Sequence, residues 1–344
     1  MRHLFNTLYI TTPEAYLARE RETIAIYIGN EKKRFPLHNL DGIICFGNIR
    51  LSPFLIGACG EKGITISYLS DNGKFLGRFS GKVSGNVLLR RGQYRYADSS
   101  ETSAQIAGNM IIGKVFNTIS VLKRFLRDYP EKDNEGKIVE AVSRLKSSLN
   151  RLRKTPGLGL EVIRGIEGDS AAIYFALFGG LIVQQSEAFT FSGRNRRPPM
   201  DKINALLSFV YTLLYHDMIS ACESVGLDPA VGFLHRDRSG RNSLSLDLME
   251  EFRPFFADRL VLSLINRQQI NPEDFKVHAS GAVYMKEKSR KTVIETYQKR
   301  KKEIITHPFL KEKMPLGLLF HYQALLLCRF IRGDLDEYPP FLWR

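Results

Sequence analysis

Between Val231 and Pro254 the chain reads VGFLHRDRSGRNSLSLDLMEEFRP, one histidine followed by a group of carboxylates at helical spacing. His235, Asp247, Glu250 and Glu251 are the kinds of side chain that hold a hard divalent cation. Asn242 or Ser243 can cap the helix, and Leu244, Leu246, Leu248 and Phe252 can supply its apolar contacts. Asp247, Glu250 and Glu251 then fall at i, i+3 and i+4 on one face. Like charges so close raise one another's pKa and cost stability unless a cation, or the nearby Arg238, Arg241 and Arg253, neutralises them. The same residues also fit a plainer description, a solvated acidic face with a structural histidine.

A second source of carboxylate lies upstream, at Glu167 in RGIEGDSAAIYFALFGGLI. The spacing of Ala171, Tyr174, Phe175 and Phe178 predicts a buried helix that Glu167 begins, so the carboxylate can serve as N-terminal charge complementarity. Gly165 and Gly168 beside it also permit close approach by a ligand. Two carboxylates and one imidazole with open positions suit Mg²⁺ or Mn²⁺ better than structural zinc, which prefers thiolates and closed tetrahedra. Such a metal polarises a phosphoryl oxygen and stabilises charge on the attacking and leaving oxygens. The nucleophile is then a DNA 3′-hydroxyl in transesterification or water in hydrolysis.

The charge balance favours a polyanionic partner: 344 residues carry a formal net charge of +14 with a pI near 9.6. Basic residues cluster at Lys74, Arg78, Lys82, Arg90, Arg91 and Arg95, at Arg194, Arg196 and Arg197, and along 286–302, where Lys288 and Arg290 lie. Within 72–97 glycines and aromatics alternate, which predicts hairpin strands whose basic face tracks a DNA backbone. The 286–302 stretch also carries Glu287, Glu295 and Glu303, so a solvated helix face is the alternative there. The arginine loop at 194–197 either approaches DNA near the metal or plays no part.

These residues must be positioned by two kinds of element. Up to about Tyr96 short β-rich runs dominate, at Leu8–Thr11, Thr23–Ile28, Gly42–Phe46, Ile64–Tyr68 and Phe75–Phe79, with one helix at Pro53–Glu61. After the polar segment YADSSETSAQ the pattern is helical: Gln105–Arg127, Lys137–Arg153, the helix after Glu167, the one after Pro198 and Pro199, and later ones at Ser289–Glu303 and Leu316–Ile331. The expected class is α+β: a β-rich, sandwich-like domain over 1–97, a linker over 98–104 and an α-helical catalytic domain over 105–344. His216 on the helix after Pro199 reads as packed, not ligating. Cys45, Cys59, Cys222 and Cys328 make no CxxC and read as buried thiols in a reducing cytosol. No apolar run reaches membrane-spanning length and the beginning MRHLFNTLYI lacks a signal core, so a cytoplasmic protein without a membrane partner is expected.

EGDSAAIYF, then RRPPMDKINALLSFVYTLL, then GLDPAVGFLHRDRSGRNSLSLDLMEEFRP, in this order, resemble the universal adaptation integrase of CRISPR-Cas systems, with loops most similar to the subtype C branch of type I. The likeness covers essentially the whole chain. It implies one divalent metal held by Glu167, His235 and Glu250, where some members carry aspartate at the last position. Asp247 matches a nearby acid expected to organise the ligands or a DNA end. The resemblance further implies a β domain that mediates homodimerisation and a small partner protein that bridges two dimers into a heterohexamer. Double-stranded DNA, both prespacer and CRISPR repeat, is the implied substrate, and a structure-selective nuclease of branched repair intermediates is the alternative.

Overall fold

Strands form where short apolar runs alternate between Gly, Asn and Asp turns. The computed structural model describes residues 7–70, 75–79, 81, 87–133, 135–155, 157–195 and 198–343. Its first part contains β1 (Thr7–Ile10), β2 (Tyr16–Glu20), β3 (Thr23–Ile28), β4 (Glu31–Pro36), β5 (Gly42–Phe46), β6 (Arg50–Leu51), α1 (Pro53–Lys62), β7 (Thr65–Leu69) and β8 (Phe75–Phe79). One sheet has the order β1-β5-β7-β8, parallel across its first three strands and antiparallel at β8. The other has the order β4-β3-β2-β6. β5 is buried at every position, and Ile43, Cys45 and Ile66 share a core with Leu17 and Ile24 of the second sheet and Leu55 of α1. The sandwich-like expectation holds.

The runs at 23–28, 42–46 and 75–79 become strands with the expected bounds. β2, β4 and β6 were not expected. β4, EKKRFP, has no apolar face because it is an exposed edge, where lysines and proline discourage further pairing.

The chain divides into Met1–Gly85 and Asn86–Arg344, not at 97–104. The reason is that the polar segment taken for a linker is helical. α2 (Val87–Asp98) and α3 (Ser100–Asp128) meet at Ser99, whose side chain accepts the Thr102 N–H at 3.3 Å and starts α3. The hairpin expected over 72–97 is therefore corrected in its second half, which is α2; residues 71–74, 80 and 82–86, with Lys74 and Lys82, lie outside the described residues.

The second unit continues with α4 (Lys137–Lys154), α5 (Leu160–Phe178), α6 (Lys202–Ser224), α7 (Ser243–Met249), α8 (Arg259–Asn266), α9 (Glu287–Lys301) and α10 (Leu316–Ile331). Two small hairpins lie among them, β9 (Phe275–Val277) with β10 (Val283–Met285), and β11 (Ile304–Thr306) with β12 (Lys313–Pro315). α3 packs on α4 and α5, and α6 packs on α7 and α10. α6 is long and apolar enough to span a bilayer, which corrects the sequence expectation, but 78% of its most apolar window is buried inside the fold. It is a core helix, and His216 is buried on it. All four cysteines are buried thiols.

Candidate active site

α5 begins at Leu160, so Glu167 lies within the helix and Glu161 occupies the first turn. Helix-end charge complementarity is thereby excluded for Glu167. Positions 165 and 168 beside it open onto space, with nothing within 4 Å of an added Cβ at either glycine. One side of Glu167 faces α3, where Lys114, itself buried, donates a short hydrogen bond to Glu167 Oε1. Lys114 Nζ also stands 2.7 Å from Glu250 Oε2. Glu250 Oε1 is 3.1 Å from Arg253 Nη2. One ammonium and one guanidinium thus bind two carboxylates, delivered by α5 and by the turn after α7.

His235 is delivered by the loop after α6, and that loop is fixed from several sides. Asp247, on α7 and fully buried, accepts the backbone N–H groups of Phe233 (2.6 Å) and Leu234 (2.9 Å) at Oδ2. Its Oδ1 meets the His235 N–H at 3.0 Å and His235 Nδ1 at 2.6 Å. Gly232 is required for this closure, because a Cβ there would stand 2.7 Å from Asp247 Oδ2. From α5, Arg164 Nε donates to Leu234 O at 2.7 Å, and from α2 the Gln93 amide donates to Asp228 O and Val231 O, each at 2.8 Å. Asp247 therefore organises the loop that carries His235. With Nδ1 held, Nε2 is the His235 nitrogen in position to ligate.

The three acids expected on one helical stripe diverge. α7 ends at Met249, and the chain turns at Glu250–Phe252 before a π-helical segment, Arg253–Asp258. Asn242 precedes α7 without a side-chain cap, and Ser243 Oγ instead bonds Arg236 O at 3.3 Å. Asp247 turns to the histidine loop and Glu250 to Lys114. Glu251 turns to the opposite side, where Gln323 Nε2 (3.0 Å), Tyr338 OH (2.5 Å) and the Phe341 N–H (2.6 Å) donate to it. Gly113 of α3 makes room, since a Cβ there would come to 3.0 Å from Glu251 Cγ.

Burial alone would raise Glu250, but the charges of Arg253, Lys114 and His235 hold its carboxyl at about 2. Lys114 is raised: burial works against its charge, and Glu250 and Glu167 outweigh it. Among the described residues Glu251 has no cationic partner, and burial pushes it up to about 8 against its three hydrogen bonds. Asp258 is likewise pushed to about 7 by burial, although Tyr211 OH donates to it at 2.6 Å and Arg253, Arg194 and Lys114 attract it.

Among the described residues no three acid, histidine or cysteine side chains stand together as a finished cage for an ion. The donor chemistry nevertheless fits one. Glu250 Oε2 is buried and contacted by charge without a directed hydrogen bond, Glu167 shares the same ammonium, and His235 presents an oriented ring. Oxygen and imidazole donors are those expected for Mg²⁺ or Mn²⁺.

The basic residues expected at DNA separate into groups. Arg91 on α2 and Lys288 on α9 are exposed, while Arg78 on β8, Arg90 on α2 and Arg290 on α9 are half-buried. Arg194 is engaged within the fold, by Asn204 Oδ1 at 2.6 Å, by Ser208 Oγ at 3.2 Å and over the Tyr211 ring. Arg196 and Arg197 lie outside the described residues. From the late basic run, Lys301 is buried on Asp217 at 2.9 Å and Arg300 bonds Phe255 O, so both are structural as well as charged. Lys114, Gln93 and the Tyr211–Asp258 pair were missed. Lys114 had a signal: in MIIGKVFN a lysine interrupts the apolar stripe of α3.

A β-rich unit is joined in sequence to a helical unit whose two carboxylates and oriented histidine make the donor set of a divalent-metal site. The family model described as "CRISPR associated protein Cas1" matches residues 8–299, and the chain belongs to the Cas1 family. A "CRISPR-associated endonuclease Cas1 1" from Chlorobaculum tepidum is 52% identical over 345 residues, covering 100% of each chain. Among solved structures, a CAS1 protein from Thermotoga maritima has a TM-score of 0.80 at 24% identity, over 95% of this chain and 97% of that one. A casposase bound to integration product has a TM-score of 0.83 at 23% identity, over 98% and 94%. These two structures share the fold.

Proposed function

We propose that Glu167, His235 through Nε2, and Glu250 bind one Mg²⁺ or Mn²⁺, and that the protein joins the 3′ ends of short foreign DNA into a CRISPR repeat in the cytoplasm. The observation that carries this reading is the pairing of Glu167 and Glu250 on a single cation, Lys114, with His235 oriented beside them by Asp247. When bound, the metal polarises the scissile phosphodiester and stabilises charge on the attacking and leaving oxygens. The chain's own residues do the rest. Asp247 fixes the histidine ring, and Arg253 keeps Glu250 ionised at neutral pH. Lys114 supplies a buried positive charge next to the reacting phosphate. Exposed arginines and lysines hold DNA phosphates, with affinity that falls steeply as salt rises.

The β-rich unit is assigned to homodimerisation, and two dimers bridged by a small partner protein would form the heterohexamer implied by the family. Insertion at both ends of a short DNA requires two such sites at a fixed separation. Glu167→Ala, His235→Ala and Glu250→Ala should each abolish Mn²⁺-dependent joining on branched DNA while retaining most salt-sensitive DNA binding. Resolving joined from merely cut products distinguishes integration from the repair-nuclease alternative. Full activity in all three variants would sink the metal assignment.

A further inference from the structure

A second concentration of positive charge lies one π-helical segment beyond Arg253. Arg259 Cζ is 4.5 Å from the Trp343 ring centroid, and Arg124 Cζ is 5.8 Å from the same ring. The residue is held in place: the Trp343 backbone N–H donates to Asn117 Oδ1 at 2.7 Å, Ser120 Oγ donates to the Trp343 carbonyl at 3.0 Å, and the ring stacks on Phe255 at 5.8 Å. Arg300 reaches the same aromatic group from α9, with Nη2 donating to Phe255 O at 2.8 Å and Cζ 5.5 Å from the Phe256 ring. Its Nε is buried without a hydrogen bond.

Acids do not balance these groups. Among the described residues, the nearest carboxylate to Arg124 is Asp128 at 3.5 Å, which Arg127 also engages at 2.9 Å. Glu303 attracts both Arg259 and Arg300, and among the described residues neither has a carboxylate within ion-pair distance. Burial, together with the charges of Arg300 and Arg124, holds Arg259 down to about 10. Mutual repulsion of these guanidinium groups, of which Arg259 and Arg300 are half-buried, is a cost that an anion would remove.

We propose that Arg124 and Arg259 on Trp343, with Arg300 on the adjoining Phe255 and Phe256, form a phosphate-binding site for the DNA backbone. The inference rests on DNA being the substrate. A planar guanidinium matches a phosphate with two parallel hydrogen bonds, and support by an aromatic face pre-orders the side chain. Arg253 and Arg259 bracket the π-helical segment. The net charge of +14 favours nucleic acid over an acidic protein surface as the occupant.

The test is a salt titration of binding to a branched duplex, comparing the full chain with the Arg124→Gln, Arg259→Gln double variant, with Mn²⁺ binding measured in parallel by calorimetry. The expected result is an affinity loss of about tenfold or more and a salt slope shallower by one to two, since each lost phosphate contact removes roughly 0.9, with Mn²⁺ affinity unchanged. If the double variant melts early, Arg124→Gln with Arg267→Gln carries the same test, because both side chains are exposed and Arg267 adds its charge beside Arg300. An unchanged slope overturns the site. So does unchanged DNA binding with loss of the small partner protein, which would assign the patch to a protein contact. Absence of salt-dependent binding in the unaltered chain would instead defeat the DNA reading itself.

Discussion

Glu250 and Glu251 are adjacent and both buried, yet one is held at about 2 and its neighbour is pushed to about 8. The difference lies in what each side of the turn meets. Glu250 faces Lys114 and Arg253, formal charges that exceed the cost of burying its own. Glu251 faces an amide, a phenol and a backbone N–H, which satisfy its oxygens without offsetting that cost. Burial sets how much ionisation costs, and the charge of the partners decides whether it happens. A one-residue step along the turn therefore separates an ionised carboxylate suited to a metal from a largely protonated one that holds the fold.

Three experiments can break or sharpen this contrast. The largest effect is expected for Glu250→Gln, which keeps shape and removes charge: Mn²⁺-dependent cleavage should fall by more than about a hundredfold, beyond the range seen for groups that only orient ligands. Because the folded pKa of Glu250 lies below its unfolded value, it stabilises the fold above about pH 4.5 and loses that contribution as pH falls towards 2. Glu250→Gln should flatten that acid arm. Activity near the unaltered level would remove the distinction between the two glutamates.

A smaller effect is expected at the residue that orients His235. Asp247→Asn cannot accept at all four of the contacts the carboxylate makes, so Mn²⁺ affinity or activity should drop about ten- to a hundredfold. Calorimetric Mn²⁺ titration checks it, and an unchanged affinity would count against the role given to Asp247.

The smallest effect is on pH-dependent stability at Glu251. A folded pKa raised to about 8 means the folded form keeps a proton that the unfolded chain has lost, so stability falls as pH rises from about 4.5 to 8 and then levels off. Glu251→Gln should remove this slope, a change of a few kcal/mol at most across the window, while leaving cleavage within a few-fold. Urea unfolding at pH 5 and pH 8 measures it. Equal slopes in the two proteins would show that Glu251 is not the titrating group.

Much of this architecture was legible in the residues. Period-two runs gave β3, β5 and β8 their bounds, and long apolar repeats marked α3, α4, α6 and α10. Less visible were elements whose partner lies far along the chain. α2 reads as a basic, glycine-containing stretch until Gln93 is seen to hold the Asp228–Val231 loop, a contact across more than 130 positions. Lys114 shows in the sequence only as a break in the apolar stripe of α3, and its role stays hidden because its partners come from α5 and from the turn after α7. The acidic stripe failed for a local reason: helical spacing was extended through Glu250 and Glu251, whereas the helix stops at Met249.

The side of the turn that carries no catalytic group has a temporal meaning. Glu251 takes its donors from Tyr338 and Phe341, 87 and 90 positions later in the chain. During synthesis every proposed ligand exists well before those donors do, and the buried carboxyl that steadies the turn lacks two of its three donors until they emerge. Completion of the cutting centre is thus tied to chain growth past Phe341, and a shorter nascent chain holds the parts of a nuclease without its final fastening.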